Sequence, residues 1–141
     1  MRDYLYAISY AQYFAPSGCN DGHCNGDEKS SFNYSTATTA QVIDGFKKGS
    51  DLSIAVTMEF VKLAKALGVQ TASYEGGPGY HVGAEKPGSK GLSTMIESSR
   101  DAGMKEVVKQ HVDTCWQFGW TVYNFFAAQG KVSEYGCFGA T

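Results

Sequence analysis

The sequence predicts an α/β domain of βαβαβ order, and three observations predict it. Apolar, aromatic segments at 3–10, 69–74 and 120–126 alternate with stretches whose apolar residues recur every three or four positions. Such alternation argues for parallel strands joined by right-handed crossovers. Each strand segment is apolar on both faces, as strands are when helices cover one side and packed side chains the other. Finally, the run from Thr71 to His81 carries a short strand into one carboxylate, Glu75, and then into Gly76-Gly77-Pro78-Gly79. The glycines and the proline are expected to stop the strand at Glu75. In parallel α/β architectures that end of a strand is where chemistry is placed. A glutamate at a tight surface turn is the plainer alternative.

The first strand, Asp3 to Tyr10, leads into Ala11-Gln12-Tyr13-Phe14. Pro16 to Ser35 reads as a long polar loop. Its centre, Asp21 to Glu28, superficially resembles an EF-hand calcium loop, but His23 replaces an oxygen ligand and Phe32 stands where the bidentate glutamate belongs. A solvated acidic loop is expected there, with a calcium site of another kind as the alternative. Helical spacing starts after Thr36 to Thr39, with Ala40, Ile43 and Phe46 on one face, and Gly49-Ser50 is expected to break it. A second helix, capped by Ser50 or Asp51, aligns Leu52, Val56, Phe60, Leu63 and Leu67 as a core stripe and ends at Gly68. After the strand 69–74, a glycine-rich loop runs to Gly91. A further helix is capped by Ser99, lines up Met104, Val108, His111, Cys115 and Phe118, and stops at Gly119. His111, on that apolar face, reads as a core histidine. The last strand, Trp120 to Phe126, opens into the loop from Gly130 to Gly139.

Length and charge bound the function. The 141 residues make one domain, or part of a larger one, taken here as a single unit over 1–141. A net charge of −2 and scattered Lys and Arg give no electrostatic grip on nucleic acid or anionic lipid. No apolar run approaches the ~20 residues of a membrane span, and no cofactor-binding pattern is evident. Gly76 to Gly79 lacks the Lys-Ser or Lys-Thr of a phosphate-binding loop, and Pro78 and a distant helix break the dinucleotide fingerprint.

Of the four cysteines, Cys19 and Cys24 share one short loop. They are read as a disulfide or as free thiols. Zinc held by Cys19, His23 and Cys24 is the weaker rival, because the spacing fits no zinc pattern. A Cys19–Cys24 disulfide and the sequon Asn33-Tyr34-Ser35 both favour an extracellular or secretory setting.

Three segments together, Tyr6 to Phe14, Ala72 to Gly77, and Trp120 to Phe126 with Ser133 to Gly139, resemble the last three strands of a (β/α)8-barrel glycoside hydrolase. The resemblance spans nearly the whole chain, and Tyr74-Glu75-Gly76-Gly77 is its most specific part. It implies a TIM-barrel portion equivalent to strands six to eight, with Glu75 as the nucleophile of retaining hydrolysis. It also implies Tyr10 or Tyr13 as the aromatic partner of that carboxylate, and Phe125 or Phe126 as a sugar platform. Tyr80 and His81, in the loop after Glu75, join them as candidate sugar contacts; an idle loop histidine is the plainer reading of His81.

Departures from the pattern matter as much. Retaining hydrolysis needs a second carboxyl roughly 5 Å from the first, and the family carries it on strand four, which this chain lacks. Glu134, in the loop after the last strand and on the Glu75 side of such a barrel, is not the expected acid, and Glu59 belongs to a solvent-facing helical position. The expected partners are therefore a carbohydrate and either the missing barrel strands or a partner chain. The rival function is a non-catalytic carbohydrate-binding or interaction module on a degenerate glycosidase scaffold, its many tyrosines serving as stacking surfaces.

Overall fold

The computed structural model describes residues 5–16, 34–79 and 88–126. Within them the order is β1 (Ala7–Phe14), α1 (Thr39–Leu67), β2 (Gln70–Pro78), α2 (Lys90–Ser99), α3 (Ala102–Gln117) and β3 (Val122–Tyr123). The strands form one parallel sheet in the order β1-β2-β3. Mixed α/β architecture with parallel strands is thus as the alternation predicts.

The strand limits move. β1 lies four residues later than expected, which brings Tyr13 and Phe14 into the sheet. β2 does not stop at Glu75 but continues through Gly76 and Gly77 to Pro78, paired throughout with β1. Pro78 is tolerated as the strand's last residue. Gly76 is required there: a Cβ would lie 2.5 Å from the Gln12 carbonyl oxygen and 3.1 Å from the Tyr123 hydroxyl. β3 is only two residues long, shorter than the segment 120–126.

The helices differ more. Gly49-Ser50 does not break the first one; α1 runs unbroken for 29 residues. Its start is a capping box, Thr38 accepting from the Gln41 amide while Gln41 accepts from the Thr38 amide, and Gly68 ends it at φ 66. Gly49 serves packing, because a Cβ there would meet the Ala15 carbonyl oxygen at 1.6 Å. The glycine lets the helix cross the end of β1 in contact with its backbone. α2, capped by Ser89, occupies a stretch not expected as a separate element, and α3 is capped by Asp101 rather than Ser99.

Both long helices pack on one face of the sheet. Phe14, Val42, Ile43, Phe46, Met95, Met104 and Val107 form one buried cluster, and Val61, Cys115 and Trp120 a second. The stripe expected as core on α1 is instead a surface: Leu52, Val56, Leu63 and Leu67 are all exposed. Around the helix, Ser50 meets α3 through His111, and Gly49, Ser53 and Phe60 meet β1. At about 100° per residue, the Leu52 stripe comes next, on the far side of β1 from α3. The apolar flank of α1 and the outer edge of β1 therefore open on the same side.

The Gly49 contact predicts a large substitution effect. Gly49→Ala drives a methyl into backbone that cannot yield without moving β1 or α1, and is expected to cost about 3 kcal/mol. Urea unfolding of the two proteins measures it; an unchanged midpoint would exclude the close crossing.

Candidate functional site

Strand alternation divides the β1 side chains between two environments. Tyr10, Gln12 and Phe14 turn toward the helices, whereas Ser9, Ala11 and Tyr13 turn to the opposite face, which no described helix covers. The β1–β2 ladder carries a β-bulge between Tyr10 and Ala11: Tyr10 pairs with Ser73, but Ala11 pairs with Glu75. Tyr74 is the extra residue. Glu75 therefore shares the open face with Ala11, and Gly77 opposes Tyr13.

Three expected site residues meet on this face. Glu75 is half-buried, and its carboxylate lies near enough to the Tyr13 phenol for the two groups to interact. Burial first, and then the negative charge of Glu75, push the Tyr13 hydroxyl up to about 12. Tyr13 thus stays protonated as a donor throughout the neutral range. Phe126 lies 6.5 Å from Tyr13 between ring centroids, with its amide donating to the Gly76 carbonyl at 3.0 Å and half of its side chain open to solvent.

Tyr10 is not among them. Its ring stacks on Phe60 at 4.3 Å and meets Trp120 edge-on at 5.4 Å, and its hydroxyl bonds Thr57 at 2.7 Å, all on the helix side. Packed against Phe60 and Trp120, Tyr10 is a partly buried residue of the core, and of the two tyrosines only Tyr13 lies near Glu75. Phe125 packs on Tyr123 at 5.1 Å. Tyr80, His81, Cys19, His23, Cys24, Glu134 and Cys137 lie outside the described residues, as does the acidic loop 21–28. Every other described carboxylate lies on a helix or at a helix cap. Among the described residues no three of His, Cys, Asp and Glu gather as a metal site, and no helix is long and apolar enough to cross a membrane.

A second polar group lies between sheet and helices. Gln12 donates to Thr57 at 2.7 Å and to Cys115 at 2.9 Å, while Ser50 and His111 share a bond of 2.8 Å. This Ser–His pair has the separation of a catalytic dyad, yet His111 is wholly buried and stacked on Phe14 at 4.2 Å. Burial lowers its pKa to about 4 and raises the Cys115 thiol to about 11, so both stay neutral. The group serves the core, in keeping with the sequence reading of His111.

The chain matches no protein-family model, and no curated protein or solved structure is significantly similar to it.

The buried imidazole makes stability pH-dependent. Its folded pKa, about 4, lies below the ordinary 6.5, so the unfolded chain takes up the proton first as pH falls. This contribution is intact above pH 6.5 and is lost between there and about 4, amounting to about 3 kcal/mol. Urea titrations across that range should show the decline, and His111→Gln should remove most of its slope.

Proposed function

We propose that this chain supplies the nucleophile half of a retaining glycosidase site, on strands equivalent to six to eight of a (β/α)8 barrel. The observation that carries this reading is that the β-bulge brings Glu75 beside Tyr13 on the face of a parallel sheet that no described helix covers. A carboxylate set beside a phenol on an open face is placed to meet a sugar ring, as a glycosyl-forming nucleophile must be. Among the described residues, helices on one face only, an unpaired edge at β1 and an apolar flank on α1 beside it support a sheet that continues into further βα units. In such an arrangement the open face becomes the lumen side, and Glu75 faces it.

A saccharide would lie against Tyr13 and Phe126 with its anomeric carbon toward Glu75. The acid that protonates the leaving oxygen has to come from outside the described residues. That requirement sustains a second reading, a non-catalytic carbohydrate-binding module. The observation in its favour is that all other described carboxylates belong to helices or helix caps.

One experiment separates the two, because a dinitrophenolate leaves without help from an acid. Dinitrophenyl glycosides of glucose, mannose, xylose and galactose, fluorinated next to the anomeric carbon, test the nucleophile by itself. The bond from the anomeric carbon to the aryl oxygen breaks and one to a Glu75 oxygen forms. Intact-mass and peptide mapping are expected to find a glycosyl ester on Glu75 that is absent from Glu75→Gln. Saccharide binding without any adduct would favour the binding module, and neither binding nor adduct would refute both.

A further inference from the structure

The geometry points to Tyr74 as a saccharide-stacking residue set beside Glu75 by the β-bulge, an inference that rests on the carbohydrate reading of this site. In an unbroken ladder Tyr74 would pair with Ala11 and Glu75 with Gln12, and the carboxylate would turn toward the helices. There it would meet Thr57, Cys115 and the Tyr10 ring, a buried region with no cation among the described partners of Gln12. The extra residue prevents this. Ser73, opposite Tyr10, is wholly buried on the helix side. Tyr74 alternates to the open face, and Glu75, opposite Ala11, follows it there. Two consecutive side chains of β2 thus share one face, which a regular strand never allows.

Of this pair Glu75 is half-buried beside Tyr13, whereas Tyr74 is 60 % exposed. An aromatic ring left open beside a carboxylate matches the two chemistries of a pyranoside. The ring takes the apolar face with its C–H bonds, and the carboxylate takes adjacent hydroxyls. Tyr74 and Phe126 supply exposed rings near Tyr13 and Glu75. The ligand class that follows is a pyranoside with one continuous C–H face, such as a β-linked glucoside or xyloside.

Calorimetric titration with cello-, manno- and xylo-oligosaccharides tests the inference on the full chain. For the saccharide that binds, Tyr74→Ala is expected to weaken affinity about tenfold, and Tyr74→Phe to leave it within about twofold, since the ring alone is used. Tyr6→Ala removes a tyrosine that is 80 % exposed before the start of β1 and should change nothing. Nitration of Tyr74 by tetranitromethane, mapped by mass spectrometry, should slow when the saccharide is present. Equal affinity in Tyr74→Ala and wild type, or unprotected nitration, would overturn this inference while leaving the glycosidase reading in place. A wild-type chain that neither binds a saccharide nor forms the glycosyl ester would remove both.

Discussion

The bulge in β2 is the constraint on which the candidate site depends. Glycine-rich backbone follows it, the helices lie behind it, and its single extra residue decides on which face Glu75 emerges. An ionised carboxylate in a closed, uncharged interior costs several kcal/mol, so a regular ladder would set the fold against its own charge. With Tyr74 inserted, the charge reaches the open face, and the helix side keeps only neutral groups: Gln12, Thr57, Cys115 and Ser73. Gly76, immediately after, lets the Tyr123 hydroxyl donate to the Gln12 carbonyl at 3.0 Å. That bond ties β3 to β1 across β2.

Chemistry and stability are thereby separated by the thickness of one sheet. The helix side is stabilised by aromatic stacking and by polar groups that stay neutral, with His111 and Cys115 shifted in the directions burial demands. Two atoms there, Gln12 Oε1 and His111 Nε2, have no hydrogen-bond partner among the described residues. They mark where polar groups are held by packing more than by pairing. On the open side Tyr13, Tyr74, Glu75 and Phe126 keep side chains at least partly accessible. Substitutions on the two sides should therefore report on different properties.

The sequence made the alternation of strands with helical stretches legible because strand and helix periods differ, although the helices were divided differently: α1 is one helix where two were expected, and α2 was not expected. Gly68 and Gly119 were readable as helix ends for the same reason, since each takes a positive φ after a periodic stretch. The errors have local physical causes. Gly49 looked like a breaker because its use, close passage beside Ala15, involves a residue far away in sequence. The Leu52 stripe obeyed helical spacing, but spacing reports only that a face is apolar and not that anything covers it. Thr57, in the same helix, is fully buried although it interrupts no apolar pattern. The bulge is the hardest of all to foresee. Tyr74-Glu75-Gly76-Gly77 contains the residues that permit it, yet register belongs to a pair of strands and is written in neither one alone.

The uncovered flank of α1 carries a colloidal consequence. Among the described residues its side chains and the edge of β1 open in one direction, whereas β3 ends the sheet on the other, so a contact between those two sides would join unlike surfaces. Unlike surfaces that meet head to tail either close into a ring or continue without limit. A parallel sheet with helices outside curls toward closure only when enough strands contribute. Below that number, the same contact would build open-ended strings of molecules whose length grows with concentration.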